Sequence, residues 1–203
     1  MSDPTVSFPR RSRHWFDIAA GGAAIVVSVV SLIVAKQTAD ANTRLVEAST
    51  WPFLQLDSSN TDDQNHFLIS LAITNSGVGP AKLESLEVFW HGKAYATSFD
   101  LMTACCGWKP PTEIPGSTAA PTGINTAPVS HLVIRAGESR RFLAVPPGNQ
   151  LAAWHRLDMV RYSELKYRAC YCSVFDECWT TDFASLHPTP VDLCPKPAVA
   201  YTE

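Results

Sequence analysis

The order of apolar and polar positions divides the chain in two. Ile18 to Ala35 reads IAAGGAAIVVSVVSLIVA, a run without a single charge. Extended back to Trp15, it predicts a helix of 21 residues, about 31 Å long at 1.5 Å per residue, which matches the hydrocarbon core of a bilayer. Lys36 to Ser49 keeps only a thin apolar seam at Ala41, Leu45 and Ala48 after Val34, and predicts a polar helical stalk. Thr50-Trp51-Pro52 ends it, because the residue before a proline is pushed out of the helical region.

After Trp51 the period changes to two. Phe53 to Leu56 predicts a short strand, and Asp57 to Asn65 a polar connection. From His66 to Asn75 the residues Phe67, Ile69, Leu71 and Ile73 share one face of a strand. Asn75-Ser-Gly-Val-Gly-Pro80 then allows a sharp reversal. Leu83 to Trp90 predicts the next strand, with His91-Gly92-Lys93 as a tight turn into Ala94 to Phe99. Asp100 to Ser130 holds Cys105, Cys106 and five prolines. It predicts a long irregular loop, held down near the cysteines and looser after Pro115. His131 to Arg135 and Arg140 to Val145 predict a hairpin about Ala136-Gly137-Glu138. Asn149 to His155 predicts a short helix capped by Asn149. Leu165 to Phe175 and Cys178 to Phe183 predict two long strands joined at Asp176-Glu177, and the tail from Leu186 reads as extended.

Seven to nine short strands with frequent turn signals predict a mainly β chain, a β-sandwich behind one transmembrane helix and its stalk. The expected segments are a basic tail over 1–14, the membrane helix over 15–35, the stalk over 36–50, the sandwich over 51–185 with its Pro-rich loop over 100–130, and the tail over 186–203. Two pieces carry a resemblance: Leu71-Ala-Ile-Thr-Asn-Ser-Gly-Val-Gly-Pro-Ala81 and Arg135-Ala-Gly-Glu-Ser139. They resemble the Asn-x-Gly and (Pro/Ala)-Gly-Glu-Ser elements of immunoglobulin-like adhesion and accessory domains. With the helix in front, the whole chain resembles uncharacterised bacterial single-pass membrane proteins that carry such a domain. The resemblance implies a fold class, an immunoglobulin-like β-sandwich, and no activity.

Charge sets the expected orientation. Arg10, Arg11 and Arg13 precede the apolar run and Lys36 alone lies closely after it, which predicts an inner-membrane protein with a cytoplasmic N-terminus and a periplasmic or other extracytoplasmic domain. A cleaved signal peptide is the alternative, with Ala39-Asp40-Ala41 as its cleavage sequence. The apolar run exceeds the usual length of such a leader. The net charge of -3 gives no basic footprint for nucleic acid.

All six cysteines (Cys105, Cys106, Cys170, Cys172, Cys178 and Cys194) come after the apolar run. An even count beyond an anchor predicts disulfides in an oxidising compartment. Cys172 and Cys178 are placed to meet across the hairpin, and Cys170 or Cys172 to tie the long loop or the tail to the sheet. Cys105-Cys106 lacks the C-x-x-C spacing of thioredoxin-like catalysts, and Cys170-x-Cys172 with Cys178 lacks the paired knuckles of zinc sites. Asp57, Asp62 and Asp63 lack the glycine and final glutamate of a calcium loop. His14, His66, His91, His131, His155 and His187 are scattered, and no nucleotide or nucleophile motif is present. No cofactor or metal is therefore expected, and a non-enzyme is favoured.

Two surfaces remain as candidates. Ala20, Ala24 and Ser28 recur every four residues on one helix face, the spacing at which two membrane helices approach closely and the chain forms a homo-oligomer. Trp108 and Lys109 in the Pro-rich loop are candidates for contact with a partner, since Trp is favoured at binding hot spots, while Trp154 and Trp179 read as core. The expected function is a membrane-anchored interaction module, an accessory or sensor subunit bound to another envelope protein. The alternatives are a redox or metal-binding envelope protein, or a cytoplasmic ligand sensor of inverted topology.

Overall fold

The computed structural model describes residues 10–109 and 123–202, with side chains from residue 15 onward. The chain forms two units, Met1–Ala48 and Ser49–Glu203. The first is carried by α1 (Arg10–Thr50), a single helix of 41 residues, about 62 Å long by its rise. Its stretch from Trp15 onward is long and apolar enough to cross a membrane, and none of it is buried. The predicted membrane helix and stalk are thus one uninterrupted element.

The described residues of the second unit form ten strands and two helices: β1 (Leu54–Thr61), β2 (Phe67–Asn75), β3 (Ala81–Trp90), β4 (Lys93–Tyr95), α2 (Ser98–Cys106), β5 (Asn125–Thr126), β6 (Leu132–Ile134), β7 (Ser139–Val145), α3 (Leu151–Ser163), β8 (Leu165–Cys172), β9 (Cys178–Thr181) and β10 (Thr189–Val191). They build two antiparallel sheets, as expected of a β-sandwich. One runs β1-β2-β7-β5; the other runs β10-β9-β8-β3-β4, with β6 also paired to β3. One buried cluster draws Ile69, Leu71 and Ile73 from β2, Leu86 and Val88 from β3, Phe142 and Leu143 from β7, and Tyr167 and Tyr171 from β8. Facing sheet surfaces thus share one core. Consecutive residues are buried where the ladders shift register, between Leu83 and Ser85 against β8 and between Leu71 and Ala72 against β7. Each bulge flips the alternation of side chains, which is why Leu83 and Leu86, and Phe142 and Leu143, all point inward.

Several expectations are corrected. The polar stretch from Asp57 is not a connection: β1 runs through Thr61, because pairing with β2 satisfies its backbone whatever its side chains. The start of the expected irregular loop is a helix. Thr97 caps α2 by accepting from the Asp100 N–H at 3.1 Å, and Gly107 in the left-handed region closes it. Of the loop's five prolines only Pro128 lies in the described residues, and the looser part expected after Pro115 lies largely outside them. The predicted hairpin of β6 and β7 is a crossing between sheets, β6 pairing with β3 and β7 with β2. The short helix is α3, longer than predicted, and its N-cap is Gln150 rather than Asn149. The tail is more than extended chain. It adds β10 to β9, then returns to bury Tyr201, whose N–H donates to Leu86 O at 2.8 Å and whose hydroxyl pairs with Ser98.

Asn75 explains the sheet crossing. It is fully buried. Its Nδ2 donates to Gly79 O at 2.8 Å and to Ile134 O at 3.0 Å, while its Oδ1 accepts from Phe53 N at 3.2 Å and Gly77 N at 3.0 Å. Its backbone bonds to Gly137 and Glu138. The two sequence pieces that carry the resemblance therefore meet at this one residue, through its backbone. Glycine is required beside it, since a Cβ on Gly77 would stand 2.4 Å from Phe53 N and one on Gly79 would stand 1.9 Å from Thr50 O.

Candidate functional site

All six cysteines pair, and none is free. Cys170 binds Cys194, which ties the tail to the sheet as expected of Cys170 or Cys172. Cys172 binds Cys178, its register partner across the β8–β9 ladder. Cys105 binds its own neighbour Cys106. That last pairing corrects the expectation that one of the two would hold the long loop to the sheet. A bridge stabilises largely by closing a loop in the unfolded chain, on the order of 3 kcal/mol for a loop of Cys170–Cys194 length, whose separation is 24 residues. A bridge between neighbours closes none, so Cys105–Cys106 acts locally, on the last turn of α2.

The edges of the sheets differ sharply. β4, β6 and β10 have three residues each and β5 has two, and β10 carries Pro190. Short strands and prolines are common ways of blunting an edge. β1 has eight residues and, among the described residues, pairs with β2 alone. Phe53 directs its backbone toward the β2 side, its carbonyl accepting from Ser76 N at 2.8 Å. Alternation then directs the N–H and C=O groups of Leu56 and Ser58 to the free edge, while the Leu54 N–H is turned toward the Tyr171 hydroxyl.

A groove of about 1050 Å³ opens beside this edge, between Leu56–Ser58 on one side and Leu165–Arg168 of β8 on the other, with Arg161, Tyr162 and Asp182–Ala184 at its rim. β8 is itself open here, because β9 ends its pairing at Ala169–Thr181. Arg161 reaches in from α3. Its side chain is 1% exposed, and it donates to Asp158 Oδ1 from Nε and Nη2 and to Ser58 Oγ from Nη1. Its guanidinium stacks on Tyr162 at 4.0 Å. The hydroxyl of Tyr167 is buried without a hydrogen-bond partner, and that of Tyr171 is buried facing the Leu54 N–H. Burial pushes both phenols up, Tyr171 to about 12. At the groove's far end Glu164 accepts from Trp90 Nε1 and pairs with His91, each at 3.0 Å. The Trp90 bond, followed by His91 and Arg156, holds its carboxyl below the usual range.

The other sequence candidates fall elsewhere. Trp108 is 4% exposed and stacks on Phe99 at 5.6 Å. Its indole fills the core, so it is withdrawn as a contact residue, because burying that ring removes more apolar surface from water than any other side chain nearby. Lys109 stays exposed, its backbone clasped by Gln150 through bonds of 2.8 and 2.7 Å. Trp154 is core, as expected, and donates from Nε1 to Val145 O at 3.0 Å. Asp57 accepts from Thr74, whereas Asp62 accepts from the Gln64 and His66 N–H groups at 2.9 and 2.8 Å. Asp57 thus serves a bond between β1 and β2 and Asp62 the turn that follows β1, and the two do not converge. His66 N–H is the main cause that lowers the Asp62 carboxyl.

Ala20, Ala24 and Ser28 lie exposed on α1, with Ser28 Oγ satisfied by Ala24 O at 2.8 Å. From Ala24 the same face continues through Ser28, Ser31, Ala35, Thr38, Asn42, Leu45 and Ser49 at alternating spacings of four and three. Lys36, Asp40, Arg44 and Glu47 all fall on the opposite face. That is the spacing of a helix-pairing seam.

Sequence reasoning missed the groove and the β1 edge, and the only available signal was negative: Leu54–Thr61 contains no proline and no basic residue. Comparison of the chain with protein-family models, with curated proteins and with solved structures finds no match in any of the three.

Proposed function

We propose that the chain is a membrane-anchored interaction module of a cell envelope, whose β1 edge takes up an extended segment of another envelope protein. α1 spans the inner membrane with its N-terminus in the cytoplasm. The stapled sandwich stands outside, and the partner segment lies in the groove as an added strand, its backbone bonding to Leu56 and Ser58. The observation that carries this reading is the long free edge of β1 flanked by a groove of about 1050 Å³. Strand addition draws affinity from main-chain hydrogen bonds and specificity from the pockets for alternate side chains.

Orientation is supported by the three arginines before the apolar run and by the pairing of every cysteine after it. The immunoglobulin-like type is supported by strand order. With β6 and the tail strand β10 set aside, the order β1-β2-β7-β5 facing β9-β8-β3-β4 matches the A-B-E-D and G-F-C-C′ sheets of that fold. A second copy paired through Ala20, Ala24 and Ser28 belongs to the same reading.

Purification from native membranes tests it. Ser58→Pro removes an N–H on the free edge, and Ser58→Ala keeps it while losing the hydroxyl. A stoichiometric partner held by the wild type and by Ser58→Ala, and lost with Ser58→Pro, is the expected result. No stoichiometric partner, or one held equally by Ser58→Pro, contradicts the proposal.

A further inference from the structure

Two of the three bridges lie side by side on the outer face of the larger sheet. Cys170 and Cys172 are two apart on β8, so their side chains leave the same face. Cys178 faces Cys172 across the ladder, and the tail brings Cys194 to both. The sulfurs of Cys172, Cys178 and Cys194 lie within 4.8 Å of one another. The non-bonded pair, Cys172 Sγ and Cys194 Sγ, is 3.8 Å apart, in van der Waals contact.

We propose that these two bridges are a thiol–disulfide exchange site, able to pass a thiolate from Cys172 to Cys170 through Cys194. A dithiol reductant opens Cys172–Cys178 and is itself oxidised to a disulfide, leaving thiols at Cys172 and Cys178. The Cys172 thiolate attacks Cys194 Sγ, the Cys172–Cys194 bond forms, the Cys170–Cys194 bond breaks, and Cys170 leaves as a thiolate that takes up a proton. One disulfide and two thiols are present before and after this second step, so it needs no further electrons.

Three features favour it. β8 need not shift register, because the attacking and leaving cysteines share its face. The loop hardly changes, from the separation of 24 residues in Cys170–Cys194 to 22 in Cys172–Cys194, and closure entropy varies only with the logarithm of length. Lys82 is the register partner of Cys172 on β3, and its ammonium pairs with Asp176 in the β8–β9 turn. A cation on that face favours the thiolate. Among the described residues no third cysteine, nor any other cluster of such groups, accompanies Cys105–Cys106, which opens and closes in place. Exchange needs only the two bridges and is independent of any partner at the β1 edge.

Limiting dithiothreitol on the full-length protein, rapid alkylation and peptide mapping test it. Among molecules that have lost one bridge of this pair, Cys172–Cys194 with alkylated Cys170 and Cys178 is expected at about a tenth or more, given the near-equal loops. If every such molecule keeps Cys170–Cys194 intact, with only Cys172 and Cys178 alkylated, the proposal is overturned. Cys178→Ser gives a second measurement by leaving Cys172 without its partner from the outset. Label divided between Cys170 and Cys172 is expected, and label confined to Cys172 overturns the proposal.

Discussion

Asn75 holds more of the sandwich together than any other polar side chain described. It bonds four backbone groups from three segments, two of these bonds buried and two part-buried. Asn75→Ala leaves those groups unpaired, and a loss of about 3 kcal/mol or more is expected in denaturant melts, since an orphaned buried group costs its full desolvation. Tyr167 is the opposite case. Its hydroxyl is buried and unpartnered, so Tyr167→Phe is expected to stabilise by about 1 kcal/mol. The same burial makes stability sensitive to alkali. Tyr171 titrates near 12 in the fold against about 10 when unfolded. Its contribution is therefore complete below about 10 and is lost as pH rises toward 12, because the unfolded chain releases its proton first. The part of the tyrosinate absorbance that Tyr171→Phe removes should rise together with loss of structure; a rise of that part while the fold is intact would contradict the assignment. At this scale the sequence was partly legible. The Asn75-Ser-Gly turn and the Gly137 turn were both readable as turns, but that they are one hydrogen-bonded junction depends on contacts across 59 residues.

Elements whose patterns were local were read well. β2, β3 and the β8–β9 hairpin follow from alternation, and the continuous apolar face of α1 follows from composition. The errors share one cause, partners distant in sequence. β6 and β7 flank a glycine turn and look like a hairpin, yet each finds its neighbour in a different sheet. β1 continues through polar Asp57–Thr61 because β2 is there to receive it. α2 had a usable local signal in Thr97-Ser-Phe-Asp100, a capping pattern hidden by the prolines downstream. The tail shows the largest gap between pattern and role. Tyr201 is fully buried against Phe142 at 5.5 Å, with Ser130 Oγ bonded to its carbonyl at 2.8 Å. Tyr201→Ala is expected to cost about 3–5 kcal/mol, as for other large buried aromatics. A loss below about 1 kcal/mol, within the range of surface substitutions, would mean that the tail does not close the core.

At the scale of the whole molecule, an apolar helix and a stapled sandwich imply each other. Bridges persist where the compartment is oxidising, and under the proposed topology the three arginines ahead of the anchor place the C-terminal domain on that side. The expectation of an exported domain rests on charge asymmetry and cysteine placement, which are properties of the chain order. The groove beside β1 was not, since it arises only where the free edges of two sheets come together. The measurement that bears most directly on the exported, stapled domain is a count of thiols in intact cells, by alkylation before and after reduction. Six thiols that appear only after reduction are predicted, from the six paired cysteines. Six thiols that react without reduction would contradict it and return the domain to the cytoplasm.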